Sequence, residues 1–288
     1  MFVESNSLIA VKDYFTKKLS PLFSQREIRA ITKSIISKRL EKDTGDYLVM
    51  TNQKFSESDL LFFKNCINRM LNGEPFQYVI GETFFYNAYF DVDKRALIPR
   101  PETEELVAWI INDYKTIQNG NFIDIGSGSG CIGISISKAL KNWQSYALDI
   151  ENNALALTRQ NATKNNCELV LIKDDINSYN SSLYPDKFLV IVSNPPYIPN
   201  GEIQSMSKHV TDYEPHSALF VTDEDPLIFY RNIAEFAQKK LALEGSLYLE
   251  INPDFEHEIE QILRKNDLKQ ITKKEDLQGK LRMLKASF

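Results

Sequence analysis

The chain has 288 residues, of which 43% are hydrophobic and 25% are charged, and its formal net charge is −5. This composition is typical of a globular protein with a sizeable core, no apolar run is long enough to predict a membrane span, and the acidic balance argues against a nucleic-acid partner. The three cysteines are widely spaced and form no CxxC pair, which argues against a disulfide framework or a metal site and favours a reducing cytoplasm.

The first 75 residues are predicted to form a small helical domain. In "SQREIRAITKSIISKRL", Ile28, Ile31, Ile35 and Ile36 recur along one helix face, and "SESDLLFFKNCINRML" begins with a serine cap and an acidic first turn. This segment carries 12 Lys/Arg and 9 Asp/Glu, whereas the rest of the chain carries 22 and 30. We expect the mildly basic domain to dock a partner protein, although ordinary solvated helix surface is the alternative.

A β-hairpin linker is predicted next, over residues 76–95. The stretch "FQYVIGETFFYNAYFDVD" is rich in aromatic residues, with turn residues at Gly81 and Asn87. In the following "LIPRPETEELVAWII", the prolines require an extended backbone, and a helix is predicted to open at Glu102 or Thr103.

Residues 96–288 are predicted to form the main domain, in which strands and helices alternate from about residue 120. This βαβ order predicts an α/β fold with a doubly wound, mostly parallel sheet. The predicted strands are "NFIDI", "SYALDI", "ELVLI", "KFLVIVS" and "GSLYLEI", followed by a strand pair after Leu268, and the predicted helices are 130–140, 153–165, 226–240 and 254–265.

A glycine-rich loop joins the first of these strands to its helix, in "FIDIGSGSGCIG". Its small residues allow a ligand to approach the backbone closely, next to the helix N-terminus. The spacing of Gly128, Gly130 and Gly133 also satisfies the dinucleotide template GxGxxG, so a dehydrogenase is a competing interpretation. The candidate loop residues are Gly126, Ser127, Gly128, Ser129 and Gly130.

Acidic residues near this loop favour S-adenosyl-L-methionine (AdoMet) over a dinucleotide. Asp124 precedes the first glycine, where a carboxylate would repel a pyrophosphate but attract the ammonium and sulfonium of AdoMet. Asp149 ends the next strand, where it could bind ribose hydroxyls. Asp174 and Asp175 follow the third strand, where an acid could bind the adenine amino group while Ile176 packs on the ring; a solvated acidic turn is the alternative there. Of the two acids, motif matching favours Asp175.

The stretch "VSNPPYI" ends the fourth strand with two prolines, which fix the backbone. The side-chain carbonyl of Asn194 and the backbone carbonyl of Pro195 could accept both hydrogens of a planar –NH₂ group. Pro196 makes this geometry rigid, and Tyr197 could wall the pocket or stack on the substrate. Such a site aligns a weakly nucleophilic nitrogen with a methyl donor, which predicts an amino-group N-methyltransferase.

Several segments give the chain a family resemblance. The pieces "FQYVIGE", "LIPRPETEELV", "DIGSGSGCIGI", "VSNPPYI", "YEPHSAL" and "DLQGKLRM", spread in order over about residues 76–285, resemble the HemK/PrmC family of glutamine N5-methyltransferases. The resemblance implies a Rossmann-like fold, AdoMet as donor, S-adenosyl-L-homocysteine as product, and class 1 peptide chain release factors as protein substrates, methylated on the glutamine of their Gly-Gly-Gln motif.

The resemblance also implies roles for particular residues. It assigns Gly126–Gly130, Asp149, Ile176 and Asn194 to the donor and Asn194–Tyr197 to the acceptor, while Arg100 and Glu102 would shape the pocket. The chain departs from the family at "EINPDF", residues 250–255, a loop that we expect to be peripheral. The alternatives are a nucleic-acid methyltransferase acting on base amino groups, which shares the N/D-P-P-Y/F motif, and a catalytically silent module that binds AdoMet or a dinucleotide.

Overall fold

A computed structural model describes residues 3–42, 45, 47 and 52–288, with Lys208 described by its backbone alone. The chain divides into a helical unit, Met1–Gly81 with Lys208–Tyr213, and a sheet unit, Glu82–Ser207 with Glu214–Phe288. Among the described residues, no helix combines the length and the apolar character that a membrane crossing requires.

The elements follow one another in an order that separates helices from a later β/α alternation. The helices are α1 (Leu8–Leu19), α2 (Gln25–Arg39), α3 (Glu57–Leu71), α4 (Phe76–Ile80), α5 (Pro101–Tyr114), α6 (Cys131–Ala139), α7 (Asn152–Lys164), α8 (Lys208–Thr211), α9 (Ile228–Lys240) and α10 (Glu256–Lys265). The strands are β1 (Glu82–Phe85), β2 (Ala88–Asp91), β3 (Asn121–Ile125), β4 (Gln144–Asp149), β5 (Val170–Lys173), β6 (Phe188–Ser193), β7 (Ile198–Pro199), β8 (Phe220–Val221), β9 (Leu241–Glu250), β10 (Gln270–Glu275) and β11 (Leu281–Ser287).

The helical unit is built on amphipathic helices with defined starts. Capping boxes at Ser24 and Ser56 satisfy free backbone N–H groups in the first turns of α2 and α3. The apolar stripes of α1, α2 and α3 meet in one core that includes Phe15 and Phe63, whose rings pack edge to face with centroids 6.0 Å apart. The helical prediction for this region is therefore confirmed for the part of the chain that the structure describes.

The predicted hairpin over 76–95 is wrong at its beginning. Residues 76–80 form helix α4, and the strands of the hairpin are β1 and β2. The Arg69 guanidinium of α3 donates to the carbonyls of Tyr78 (3.1 Å) and Val79 (3.2 Å), which satisfies acceptors at the helix end. Gly81 then ends the helix with a φ of 76°. An aromatic-rich sequence resembles a strand, but this tertiary contact selects a helix, and the helical unit extends to Gly81.

The helical unit also includes a segment that is distant in sequence, Lys208–Tyr213. The Tyr213 hydroxyl donates to the Asn72 carbonyl at 2.8 Å, and His209 Nδ1 lies 2.6 Å from the Gly73 carbonyl. Both carbonyls follow the end of α3, where helical acceptors lack internal partners. The sequence did not predict this association.

The sheet unit has a seven-stranded sheet in the order β10-β11-β9-β6-β3-β4-β5. Strands β5, β4, β3, β6 and β9 are parallel, and β11 and β10 add antiparallel pairs at one edge. This order confirms the predicted doubly wound, mostly parallel α/β sheet. The chain leaves β3 towards β4 on one side and later returns to β6 on the other, so the switch point lies between β3 and β6.

Side chains of β3 alternate between the two faces of the sheet. Phe122 packs in the cluster that contains the apolar residues of α5 and α6, whereas Ile123 and Ile125 pack in the opposite cluster with residues of α9. Asp124 therefore shares the face of Phe122 and points beneath α6.

Helix α5 begins at Pro101 and not at the predicted Glu102 or Thr103. Proline suits the first helical position because its missing N–H would have no intrahelical partner there. Arg100 becomes the N-cap residue, although its side chain makes no capping bond. This earlier start places Thr103 in the first turn, buried at 3% exposure. Its hydroxyl donates a hydrogen bond there to Glu250, the last residue of β9.

Candidate active site

A cavity of about 380 Å³ opens at the carboxyl ends of β3, β4, β5 and β6 in the sheet unit. Parallel strands direct their carboxyl ends to one edge, so the segments that follow these strands meet there. Most of the sequence-predicted site residues line it: Arg100, Gly126, Ser127, Gly128, Ser129, Asp149, Asp175, Ile176, Asn194, Pro195 and Pro196. Asp124, Gly130, Glu102 and Tyr197 are not among its lining residues.

The glycine loop adopts a backbone that other residues rarely take. Gly126, Gly128 and Gly130 have φ values of 75°, 55° and 80°. At Gly130 an added Cβ would also lie 2.8 Å from Cγ2 of Thr158, so α6 and α7 approach each other closely at this glycine. The Thr158 hydroxyl donates to the Gly128 carbonyl at 3.0 Å and helps to fix the loop.

Asp149 lines the cavity from the end of β4 and is mostly buried, at 8% exposure. One carboxylate oxygen accepts the Gly128 N–H at 2.8 Å and the other accepts the Glu151 N–H at 2.9 Å. Burial raises the pKa of this carboxyl, while these backbone bonds oppose the rise. Asp149 thus holds the glycine loop and retains lone pairs that can accept ribose hydroxyls.

Asp124 lies behind the loop and not in the cavity wall. It is fully buried, and its Oδ2 accepts the Gly133 N–H in the first turn of α6 at 3.0 Å. Its Oδ1 has no hydrogen-bond partner among the described residues. Burial raises its pKa to about 7, and the charge of Asp149 adds to the rise. This position joins Asp124 to the helix N-terminus, where the macrodipole favours a negative charge.

The segment after β5 contains two adjacent acids, Asp174 and Asp175, of which the sequence motif favoured Asp175. Asp174 accepts bonds from the Tyr184 hydroxyl (2.7 Å) and the backbone N–H groups of Asn180 (2.8 Å) and Asp175 (2.9 Å), so it organises the loop. The Asp175 carboxylate accepts the N–H of Asn177 at 2.9 Å, which leaves more of its lone pairs available than at Asp174. Asp175, with the buried Ile176 beside it, is therefore the better candidate for an adenine ring.

The charges around the cavity suit a cationic ligand better than a pyrophosphate. Carboxylates of Asp149, Glu151, Asp174 and Asp175 line it. Its lining arginines are both paired, Arg95 with Asp93 at 2.7 Å and Arg100 with Glu214 at 2.6 Å. A dinucleotide would bring two phosphate charges to this acidic wall, whereas AdoMet brings an ammonium and a sulfonium. The residues present therefore fit AdoMet, and the cavity volume lies within the usual range for small-molecule sites.

Asn194 and Pro195 follow β6 directly, beside the glycine loop. The Ser193 hydroxyl donates to the Ile125 carbonyl at 2.7 Å, which joins the ends of the two strands. Asn194 Nδ2 donates to the Thr103 hydroxyl at 3.3 Å. Tyr197 turns away: its hydroxyl donates to Glu250 at 3.4 Å, and its ring packs against the hydrophobic core. This packing directs the Tyr197 ring towards the core and away from the stacking position that the sequence predicted for it.

Arg100, which lines the cavity, and Glu214 join two of the family segments. Glu214 is buried, with one oxygen accepting from Arg100 and the other accepting the Ile98 N–H at 3.0 Å. The pair fixes the "IPRPETE" segment against the "YEPHSAL" segment. These two donors offset the cost of burying the negative charge of Glu214, which an unpaired carboxylate would bear in full.

Other supporting residues were missed at the sequence level. Fully buried Asn161 of α7 donates to the carbonyls of Ser129 (2.9 Å) and Asp91 (3.0 Å), so it joins the glycine loop to the hairpin. The expectation that residues 250–255 are peripheral is wrong, because buried Glu250 accepts a bond from Thr103 and Asn252 donates to the Tyr197 carbonyl at 3.4 Å. No local sequence pattern predicts such contacts, since their partners are distant in the chain.

The parallel sheet, the glycine loop, the strand-end acids and Asn-Pro-Pro-Tyr at the switch point define a Rossmann-like methyltransferase. The fold is shared with a solved structure of the hMettl16 catalytic domain in complex with MAT2A 3'UTR hairpin 1, at 16% identity, 84% coverage of each chain and a TM-score of 0.54. A family model described as the methyltransferase small domain matches residues 104–211, and one described as the PrmC N-terminal domain matches residues 17–81.

Full-length relatives identify the family more narrowly. A release factor glutamine methyltransferase of Flavobacterium psychrophilum is 38% identical and covers 96% of this chain and 99% of the relative. Another, from Bacteroides thetaiotaomicron, is 35% identical and covers 95% and 98%. The chain belongs to the release factor glutamine methyltransferase family, which confirms the resemblance seen in its motifs.

Gly130→Ala should destabilise the protein by about 1–3 kcal/mol, because it combines a left-handed backbone with a close approach to Thr158. Urea denaturation would measure the free energy of unfolding. Gly201→Ala is the matched control, since its added Cβ makes only ordinary contacts, 3.5 Å or more from Asp223. Equal stability of Gly130→Ala and the wild type would contradict the prediction.

Asp124→Asn should change how stability depends on pH. A carboxyl whose pKa is raised by folding favours the folded state below its unfolded pKa, and this contribution is lost as the pH rises towards about 7. The stability of the Asn variant relative to wild type should therefore increase between pH 5 and pH 8, by about 1–3 kcal/mol. Urea denaturation would measure the free energy of unfolding of both proteins at each pH. A constant difference between them would contradict the predicted titration of Asp124.

Proposed function

We propose that the protein transfers the methyl group of AdoMet to the side-chain amide nitrogen, N5, of the glutamine in the Gly-Gly-Gln motif of class 1 peptide chain release factors, and thereby modulates translation termination. One observation carries the proposal. Asn194 and Pro195 line the same cavity as the glycine loop and Asp149, so donor and acceptor groups would meet at the junction of β3 and β6. The names of the full-length relatives support the same substrate.

The donor would lie along the strand ends. Asp149 would accept ribose hydroxyls, and Asp175 and Ile176 would hold the adenine ring by a hydrogen bond and by packing. The loop from Gly126 to Gly130 would let the methionyl part approach the backbone, beside the start of α6. When bound, AdoMet supplies an electrophilic methyl group on a positively charged sulfur.

The acceptor side requires orientation more than activation. An amide nitrogen is a poor nucleophile because its lone pair is delocalised. The Asn194 side-chain carbonyl and the Pro195 backbone carbonyl would accept its two hydrogens and align the lone pair with the methyl carbon. These bonds strengthen as positive charge develops on the nitrogen, which stabilises the transition state. Asn194 and Pro195 would hold the nitrogen in this orientation while bound AdoMet supplies the methyl group to it, and one of the two held hydrogens would then leave as a proton.

The helical unit would dock the release factor. Arg26 and Arg29 are exposed on α2, and all the cavity-lining residues belong to the sheet unit. A basic docking surface increases the association rate with a partner of opposite charge. This basic surface is too small to predict a nucleic-acid substrate, because the chain as a whole is acidic, with a net charge of −5.

Mass spectrometry of a purified release factor after incubation with the protein and AdoMet tests the proposal. We expect one added methyl group, located by fragmentation on the glutamine of Gly-Gly-Gln. Replacement of that glutamine should abolish labelling. Transfer of labelled methyl groups to DNA or RNA, with none to the release factor, would instead assign the protein to the nucleic-acid methyltransferases.

Asp149→Ala should weaken AdoMet binding about ten- to hundredfold, because a charged hydrogen bond is worth about 1.5–3 kcal/mol. Isothermal calorimetry would measure the affinity. Asp149→Asn keeps one acceptor oxygen, so its AdoMet affinity should lie between those of the wild type and Asp149→Ala. Asp186→Ala, at an exposed position outside the cavity, should bind AdoMet as tightly as the wild type. Unchanged affinity in Asp149→Ala would remove this residue from the donor site.

Asn194→Ala should fold and retain much of its AdoMet affinity but lose most methyl transfer. Deletion of one such hydrogen-bonding group costs about a hundred- to a thousandfold, mainly in kcat, because the bond tightens in the transition state. Steady-state kinetics with labelled AdoMet and the intact release factor would separate kcat from KM. Normal turnover would mean that "SNPPY" is only a turn.

Arg26→Glu combined with Arg29→Glu should raise the KM for the release factor about tenfold and leave kcat and AdoMet affinity nearly unchanged, because rim charges act mainly on association. Lys280→Glu, a single exposed charge reversal in the sheet unit, serves as a control for charge change away from α2. The effect should shrink at high salt, where the charges are screened. An equal KM for both variants would refute docking through this face of α2.

A further inference from the structure

Asn194 can serve the proposed reaction only if its side-chain amide is turned the right way. Its Oδ1 accepts a hydrogen bond from an –NH₂ group, whereas its Nδ2 would oppose the donor hydrogens of that group. The two orientations have nearly the same shape, so packing alone does not select between them. A hydrogen-bonding partner on the protein side must make the choice.

That partner is Thr103, buried in the first turn of α5. Its hydroxyl donates its single proton to Glu250 Oε2 at 2.6 Å, so its oxygen can only accept from any other neighbour. The neighbour is Asn194 Nδ2, at 3.3 Å. A hydroxyl that is committed as a donor to the carboxylate thus requires an N–H donor from Asn194 and excludes the reversed amide.

The Glu250 carboxylate accepts hydrogen bonds from two hydroxyl groups. It has 3% exposure, and a second hydroxyl, that of Tyr197, donates to its Oε1 at 3.4 Å. Burial raises the pKa of Glu250, while Thr103, Tyr197 and the positive charge of Arg282 oppose that rise and favour the carboxylate. A buried carboxylate with two hydroxyl donors holds both of them in a fixed direction.

We propose that Glu250 and Thr103 are positioning residues for methyl transfer, which set the orientation of the Asn194 amide so that its Oδ1 faces the acceptor –NH₂ group. The Glu250–Thr103–Asn194 network contributes to the reaction through Asn194 alone. Tyr197 supports the same carboxylate and belongs to this network as well. The inference rests on the proposed function, because it assumes that Asn194 binds the acceptor nitrogen.

The substitution Thr103→Val removes the hydroxyl and keeps the shape of the side chain. We expect kcat for release factor methylation to fall about ten- to a hundredfold, the range typical when a supporting hydrogen bond of a functional residue is lost. The KM for the release factor and the affinity for AdoMet should stay within about twofold, and Thr103→Ser should restore most of kcat. Thr32→Val is the matched control, because its buried hydroxyl has no hydrogen-bond partner among the described residues.

Glu250→Gln gives an independent variant of the same size. Its –NH₂ can donate to the Thr103 hydroxyl, which frees the threonine proton to bond Asn194 Oδ1 and permits the reversed amide. The same loss of kcat is expected. In a double-mutant cycle, Thr103→Val should cost nothing further once Asn194 is alanine, since the network acts through that residue.

Two readouts separate failure of this inference from failure of the proposed function. A wild-type protein that does not methylate release factors defeats the function. The side-chain amide resonance of Asn194, assigned by its loss in Asn194→Ala, then still tests the network: its hydrogens should exchange with solvent more slowly in wild type than in Thr103→Val. Equal exchange rates of the Asn194 amide in wild type and Thr103→Val would overturn the inference, and so would full kcat in Thr103→Val. Additive losses in the Thr103→Val, Asn194→Ala double variant, or a loss confined to AdoMet affinity, would overturn it as well.

Discussion

The parallel pairing of β3 with β6 is the constraint on which the site depends. Ile125 lies opposite Ser193 in this register, and the serine hydroxyl bonds the Ile125 carbonyl at 2.7 Å. The two strands end at the same level, so the glycine loop that follows one and the Asn-Pro-Pro segment that follows the other form a single cavity wall. A shift by one residue would exchange the two faces of β6 and move Asn194 out of that wall.

Buried carboxylates accept the hydrogen bonds that hold several segments in place around this junction. Asp149 accepts a backbone N–H of the glycine loop, and Asp124 accepts one from the first turn of α6. Glu214 binds Arg100, and Glu250 binds Thr103 and Tyr197. Burial disfavours each charge, and the bonds to donors offset that cost. The negative charge that remains near the cavity suits a sulfonium donor, so the electrostatics that fix the geometry also favour the cofactor.

The two groups proposed to hold the acceptor nitrogen, from Asn194 and Pro195, include neither a strong base nor an activated nucleophile. The Asn194 side chain offers a neutral amide and Pro195 a backbone carbonyl, both of which orient without removing a proton. Rate enhancement would come from alignment and from stabilisation of developing charge. Such catalysis would be sensitive to small rotations of the Asn194 amide, which is the motion that the proposed positioning by Thr103 and Glu250 would restrict.

The sequence alone determined the features that rest on local pattern: the βα alternation, the glycine loop, the acid at Asp149 and the rigid Asn-Pro-Pro-Tyr end of β6. Each follows from backbone conformation and residue type over a short stretch. Only the tertiary structure placed Asp124 behind the loop, turned Tyr197 towards Glu250, made α4 a helix, and brought Thr103, Asn194 and Glu250 together. These outcomes depend on side-chain hydrogen bonds and on burial between residues far apart in sequence, and local periodicity carries no information about such partners.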